Sequence, residues 1–561
     1  MTKKRRDEDA SAGCAEVIDF GRADSNPPVF GAARWPARAM AAAALAITLT
    51  ACNKESPPAA GHPAVMPAVA AAMVTVDGYR RLSTLPAPIA SFEVAVPYRQ
   101  ADTQRARAEL ISLTRSGNAV RAILAWNRPA EGSALRVQPL MRSARDGGEC
   151  VGWELLDVEA GKIASPLRTA GGCLSSAHIG SIVSNQALYW ADFPAPSGSK
   201  ATLLLGSGLA PMADLTITVG PPLRPTGPLV DWAGSPPAPT PGDGALPGQW
   251  RNIRRIIEAP SGQTDTTSGN ARAVGMPSDV LFAFDSDRLT EAGTAAVKRM
   301  AAFLAGTARG QQVRVVGHTD DQGTDAYNLD LSRRRAKAVA GALTPMLAGT
   351  DITLAVDWRG EAEPLLPNRT ADGTAIPANQ ARNRRVALEF AASPQAQIAP
   401  NEGRGQPDVT MPDAKPAPNP APAGSLASAV LTVRNGTIRA DVIEARRIGG
   451  NMVLLRVRFA ALDGHAEWGG SVRVLGENPY NYATNETMAN VILRDPATGM
   501  RYHVLDEGDG YCLGTRSIGM GEIFQDPPFI LWGYFPALPN GVGRVDIELG
   551  RFGLLRGVPL S

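Results

Sequence analysis

Between residues 317 and 339 the chain reads GHTDDQGTDAYNLDLSRRRAKAV. Two aspartates, Asp320 and Asp321, sit near its start, and a run of cations begins twelve residues after Asp321. Read as a helix, the second half aligns Leu331, Arg335, Val339 and Leu343 on one face at four-residue spacing. Three of the four are apolar, so the stripe faces a core, and a guanidinium stands inside it. Arg333, Arg334 and Lys337 lie off that line as solvated charges. A guanidinium withdrawn from water needs a counter-charge. The residues alone leave two accounts of Arg335 open: an ion pair within the fold, to Asp320 or Asp325, or a ligand that brings its own anion to the planar fork.

The elements that must position these side chains alternate in type. VLFAF (residues 280–284) predicts a strand, and Val297, Met300, Ala301 and Leu304 mark one helix face closed by Gly306 as a C-cap. QVRVVG (312–317) predicts the next strand, followed by the helix that carries Arg335. ITLAV (352–356) and RVALEF (385–390) complete a βαβαββ order, an α/β sandwich with its helices on one face. From Asp279 to Phe390 there are 14 Lys/Arg and 14 Asp/Glu, a net charge of 0.

This region, residues 276–392, resembles the OmpA C-terminal-like domain shared with Pal-type lipoproteins and MotB-type stator proteins. The text that carries the resemblance is FAFDSDRL (282–289), GHTDDQG (317–323), Tyr327-Asn328, LSRRRA (331–336), a loop with Gly360, Pro364 and Asn368, and RNRRV (382–386). One departure is DWRGEAEP (357–364), where the family has an aromatic-Gly turn, which bears on the shape of that loop. The resemblance implies binding of peptidoglycan. An Asp ending the second strand and an Arg on the next helix hold the diaminopimelate of the stem peptide; they map onto Asp320 and Arg335. The free end of diaminopimelate carries an ammonium and a carboxylate on one carbon, which suits a carboxylate acceptor beside a guanidinium fork. Asp321 is the rival carboxylate, and the HTD match selects Asp320. Thr319, Asn328, Leu331 and Arg384 are implied as supporting residues, and His318 as a residue that shapes the loop.

The flanks of this domain repeat each other. RAELI (107–111) matches RADVI (439–443), Asn118 matches Asn451, LDVEAGK (156–162) matches RDPATGM (494–500), and YWADFPAP (189–196) matches LWGYFPAL (531–538). Short alternating runs separated by turn residues predict β-sandwiches. Residues 79–220 and 426–561 are thus read as two copies of one module, resembling immunoglobulin-like accessory domains at the level of fold. Cys150 and Cys173 fall in one module and would pair in an oxidising compartment; Cys512 is expected as a buried thiol. Residues 221–275 and 393–425 are Pro-rich and read as linkers, with WRNIRRII (250–257) a short helix that aligns Trp250, Ile253 and Ile257. The fold class is therefore multidomain α+β: the OmpA-like α/β sandwich between two β-sandwich modules.

Residues 1–51 read as a lipoprotein signal peptide. Arg34 and Arg38 precede an apolar run too short to span a bilayer, and LTAC (49–52) resembles a lipobox. Cys52 is the expected lipidation site, and Asn53-Lys54 after it favour the outer membrane, with the chain facing the periplasm. Residues 52–78 read as a flexible tether.

The remaining composition narrows the function. A net charge of +2 over 561 residues argues against nucleic acid as the partner. The five cysteines and five histidines form no CxxC, Cys/His cluster or HExxH, so no metal site or cofactor is expected. There is no GxSxG or P-loop, and DDQGTD (320–325) lacks the glycine and glutamate of a calcium loop. The expectation is a non-enzymatic lipoprotein that ties the outer membrane to the wall, with envelope proteins as further partners through the β-modules. The alternative is the wall-anchoring subunit of an envelope-spanning machine, a secretion system or stator.

Overall fold

The computed structural model describes residues 71–561 except 98–102, 132–134, 137–149, 177–181, 184, 207–208, 210, 234, 371–372, 392–410, 419–420, 469–474, 476–487, 508–511, 516–521 and 527. Cys52, the leader before it and the tether up to residue 70 lie outside the described residues. The end of the expected tether is a hairpin: Met73–Val76 pairs with Tyr79–Leu82 around Asp77 and Gly78, both at positive φ. An Asp-Gly pair makes the two-residue turn of such a hairpin, so residues 73–78 of the expected tether are strand and turn.

Module 1 is built from β1 (Ala90–Pro97), β2 (Thr103–Ser116), β3 (Ala119–Asn127), β4 (Trp153–Asp157), β5 (Lys162–Ala164), β6 (Gln186–Pro194), β7 (Lys200–Leu205) and β8 (Met212–Thr216). One sheet runs β1-β2-β3-β6 and the other β8-β7-β4-β5. Leu124, Trp126 and Phe193 of the first meet Trp153, Leu155, Leu203 and Leu205 of the second in one core, the alternation expected of a sandwich. A disulfide joins Cys150 to Cys173, with Cα atoms 5.5 Å apart.

The second expected linker is largely structured, and WRNIRRII is not a helix. It forms β9 (Arg251–Asn252), paired with β5, and β10 (Arg254–Glu258), which opens a meander with β11 (Thr264–Ser268) and β12 (Ala271–Pro277). Isoleucines four apart suit a helix in isolation, but here the segment lies between two open sheet edges. Their unpaired backbone groups are satisfied only by an extended chain. The proline-rich stretch before it lies on module 1, where Ala238 and Thr240 offer carbonyls to Arg121.

The middle domain continues with α1 (Ser278–Leu281), α2 (Glu291–Thr307), β13 (Gln312–His318), α3 (Asp325–Met346), β14 (Thr353–Gly360), α4 (Pro377–Asn383) and β15 (Arg385–Ala391). Its sheet order is β14-β13-β15-β12. The expected first strand at 280–284 is absent. That apolar run closes α1 and leaves only a bridge from Phe282 to Leu289, while β12 takes the place beside β15. A short apolar run does not by itself separate strand from buried helix. The domain therefore begins at β12, before residue 276. Gly306 lies within α2, whose cap is Ala308, donating to the Leu304 carbonyl.

Module 2 comprises β16 (Ala427–Val433), β17 (Gly436–Ile448), β18 (Met452–Ala461), β19 (Val491–Arg494), β20 (Arg501–His503), β21 (Phe529–Pro536), β22 (Arg544–Leu549) and β23 (Leu554–Pro559). Its sheets run β16-β17-β18-β21 and β20-β19-β22-β23, strand for strand the topology of module 1. Because β10 pairs with β20, the middle domain and module 2 share one ten-stranded sheet, β14-β13-β15-β12-β11-β10-β20-β19-β22-β23. Part of the third expected linker also docks. Leu554 donates to the Pro412 carbonyl at 2.9 Å, and Ala414 donates back to Leu554 at 3.0 Å.

Candidate functional site

The end of β13 and the start of α3 are forced together by glycine. A Cβ on Gly317 would stand 2.1 Å from the Ser332 carbonyl oxygen, so only hydrogen fits there. This places Thr319 and Asp320 beside the first turns of α3. Gly360, at φ 53°, turns the end of β14 so that its carbonyl accepts from the Thr319 N–H at 2.9 Å. Asn328 then pins the corner, donating to the Asp320 carbonyl (3.4 Å) and to Glu361 (2.6 Å). The departure from the family text at residues 357–364 thus still yields an ordered turn.

Asp320 is 5% exposed. One oxygen accepts from the Gln322 N–H at 3.2 Å and the other from Arg384 at 2.7 Å. Arg384 also grips Asp279 with two bonds, of 3.1 and 2.6 Å. Its pKa is raised, first by the hydrogen bonds to Asp279 and, against burial, by those to Asp320. The result is a carboxylate–guanidinium–carboxylate bridge from α1 to the end of β13.

Arg335 stands nearby under a different regime. The whole stripe of Leu331, Arg335, Val339 and Leu343 is buried in α3, with Arg335 6% exposed. Its Nε donates to the Ser286 carbonyl at 3.0 Å, and its Cζ lies 5.3 Å from the Phe282 ring centroid. Burial lowers its pKa, opposed by the charges of Asp279, Tyr327 and Asp285. Among the described residues no carboxylate lies within 4 Å of it, so neither Asp320 nor Asp325 forms the internal ion pair. Arg333 and Arg334, by contrast, both pair with Asp330 on the exposed side.

The other expected residues fall in and around this corner. Asp321 turns away from it, to Arg369 and Gln380. The Thr319 hydroxyl is buried without a hydrogen-bond partner, and Leu331 is 6% exposed. His318 is pushed down to about 2, first by burial and then by Arg385 and Arg359, and stays neutral. Sequence reasoning assigns no site role to Asp279, Asp285, Ser286 or Tyr327. Three of the four lie in or beside the FAFDSD text, whose apolar start suggests a strand; as a loop it passes over Arg335. Together Asp279, Asp285, Asp320, Arg335 and Arg384 can receive a ligand that carries both an ammonium and a carboxylate.

Residues 281–377 match the OmpA family. Outer membrane porin F of Pseudomonas aeruginosa is 34% identical over 164 residues, which are 28% of this chain and 45% of porin F. The chain thus spans about half the length of that relative. Lipoprotein YfiB of Escherichia coli is 34% identical over 123 residues, 22% of this chain and 72% of YfiB. Among solved structures, the peptidoglycan-associated lipoprotein from Burkholderia pseudomallei is 26% identical, covering 22% of this chain and 89% of that one at a TM-score of 0.17.

Proposed function

The chain belongs to the OmpA family through residues 281–377, and from that premise we propose that it binds peptidoglycan non-covalently. Arg335 carries the reading: a buried guanidinium with a carbonyl on one side, an aromatic face beneath, and no carboxylate paired to it among the described residues. It awaits an anion, and the diaminopimelate carboxylate fits its fork. Asp320, held by Arg384 and the Gln322 N–H, accepts the neighbouring ammonium. Thr319 adds a hydroxyl, while Asn328, Leu331 and Arg384 hold the pocket's shape. The chain acts as a binder without catalysis, its relatives being outer-membrane proteins and lipoproteins. We place it in the outer membrane, lipidated at Cys52 and facing the periplasm, with the two sandwiches, read as immunoglobulin-like, open to envelope partners.

A second reading shares the site: a wall-anchoring subunit of an envelope machine. The ten-stranded sheet favours it, since a wall-bound middle domain would hold module 2 in fixed orientation.

Sedimentation of the purified chain with sacculi tests the binding. Asp320→Ala or Arg335→Ala leaves one ligand charge unpaired, a loss of about 1.5–3 kcal/mol or roughly ten- to a hundredfold in affinity. Arg333→Ala and Lys337→Ala should sediment like wild type. Folded Asp320→Ala and Arg335→Ala chains that still sediment fully would refute the assignment, and release of muropeptides by the pure chain would refute the non-enzymatic reading.

A further inference from the structure

The loop that supplies Ser286 to Arg335 also holds the most exposed aromatic residue of the described chain. Phe284 is 101% exposed, with its whole ring in water. An exposed phenylalanine forgoes the burial that normally recruits this side chain. Its neighbour Asp285 sits at φ 53°, a region that residues other than glycine seldom occupy. The Asp285 carboxylate in turn accepts from the hydroxyl of Tyr327, itself 42% exposed. Two aromatic rings therefore flank one carboxylate, Phe284 by sequence and Tyr327 by contact. Uncommon backbone beside a binding residue is where a structure commonly stores a functional constraint.

We infer that Phe284 and Tyr327, with Asp285 between them, form a subsite for a hexosamine ring of the glycan strand, adjoining the diaminopimelate pocket. The inference rests on the proposed function and extends it from peptide to sugar. A pyranose has one apolar C–H face and a polar rim. An aromatic ring offers the C–H face a negative π-surface, and a carboxylate accepts hydrogen bonds from the rim hydroxyls. Reach agrees as well. Phe284 is two residues from Ser286, at most about 7 Å of chain. Diaminopimelate is the third residue of the stem, so roughly 10 Å of extended peptide separates it from the sugar. A ligand seated on Arg335 thus carries its sugar within range of the two rings.

The test titrates the purified chain with two soluble probes by calorimetry: the stem tripeptide ending in diaminopimelate, and the same tripeptide attached to its disaccharide. Phe284→Ala removes a side chain that supports nothing in the fold. It should weaken the disaccharide-tripeptide about five- to tenfold and leave the bare tripeptide within about twofold. Tyr327→Leu should weaken the disaccharide-tripeptide more than the bare tripeptide. Arg335→Ala should weaken both probes alike. Equal effects of Phe284→Ala on the two probes, or none on either, overturn the sugar subsite while leaving the peptide site intact. The subsite also falls if Phe284→Ala changes only the sedimentation coefficient, which would assign the ring to a contact between copies. A wild-type chain that binds neither probe overturns the proposed function itself, and this inference with it.

Discussion

Modules 1 and 2 share a topology but fill equivalent positions in opposite ways. On the outer face of the first sheet, the cross-strand pair Arg121–Asp192 in module 1 is Leu454–Tyr534 in module 2. On the outer face of the second sheet, Leu156, Ile163 and Leu204 in module 1 correspond by strand register to Arg494, Arg501 and Glu548 in module 2. The two apolar faces meet each other: Leu156, Ile163 and Leu204 pack with Leu454, Trp532 and Tyr534. The two charged faces are the outward ends. Asp192 takes Arg121 at 2.7 and 2.8 Å under the strap of residues 238–242, and Arg501 bridges Glu548 and Glu258. Stacked repeats need ends that refuse a further copy. Here one duplicated frame has been made apolar where the copies join and ionic where the stack must stop.

The largest effect should come from module 1's ionic end. Arg121→Ala or Asp192→Ala strands a charge whose partner side chains are each 1% exposed, and should lower stability by about 3–5 kcal/mol. Arg121→Leu with Asp192→Tyr, module 2's own pair, should recover most of that in denaturant unfolding. A single variant that unfolds like wild type would remove the contrast. Next, Leu204→Glu copies module 2's residue into the joint. It forfeits about 1.5–3 kcal/mol of burial and sets a charge against Trp532 and Tyr534. Limited proteolysis should then cut between the modules; an unchanged digestion pattern would count against the joint.

A third contrast is covalent. By register Met488 stands where module 1 has Cys150, and Cys512 where it has Cys173, so module 2 has a buried cysteine outside any disulfide. Cys150→Ala with Cys173→Ala should cost about 2–3 kcal/mol. Met488→Cys should form a disulfide with Cys512, read by mass spectrometry of non-reduced peptides.

The smallest effect separates the two ends of the joining strand. Arg251 bonds Ser165 (3.1 Å) and Glu154 (2.8 Å) of module 1 and, across the joint, Glu507 of module 2 (2.9 Å). At the other end Glu258 bonds His503 (2.9 Å) and Arg501 (3.0 Å) of module 2 and Arg382 (3.1 Å) of α4. Burial lowers the pKa of His503, outweighing Glu258. Burial raises that of Glu258, but Arg382, the His503 hydrogen bond and Arg501 hold it well below the usual range. The unfolded chain therefore takes up the histidine proton first, and stability falls as pH drops below about 6.5. The carboxylate's contribution is present above about 4.5 and is lost only at lower pH, as pH falls through its folded value. His503→Gln should reduce the loss between pH 7.5 and 5.5 by at most about 1.4 kcal/mol. Melting curves across that range decide it; an unaltered slope would mean that His503 ionises in place.

How much of this was legible follows from where each signal resides. The arginine in an apolar stripe and the HTD text are local, and so is the α3 that carries them. The duplication was readable because matched turns and aromatic residues survive at fixed offsets. The β9–β10 strand was not, because its strandness belongs to its partners: β20 completes it from 243 residues away, measured from Glu258 to Arg501. Asp279 and Tyr327 escaped for a similar reason. Their meaning arises only once 282–287 is a loop passing over Arg335, and an apolar pentapeptide does not announce that. The hairpin at residues 73–82 is different. Asp77-Gly78 between β-branched and aromatic residues was a readable turn.

The pairing of β10 with β20 also sets an order of assembly. Module 1 and the middle domain can close upon themselves before module 2 exists, but β10 then remains an uncovered edge, its backbone groups turned outward. At a synthesis pace of about 5–20 residues per second, the 243 residues to Arg501 take roughly 12–50 s to appear. For that interval the nascent protein carries a sticky flank that any extended peptide can occupy. A chain interrupted before β20 keeps that flank for life, so truncation in module 2 should produce aggregates rather than a shorter soluble protein.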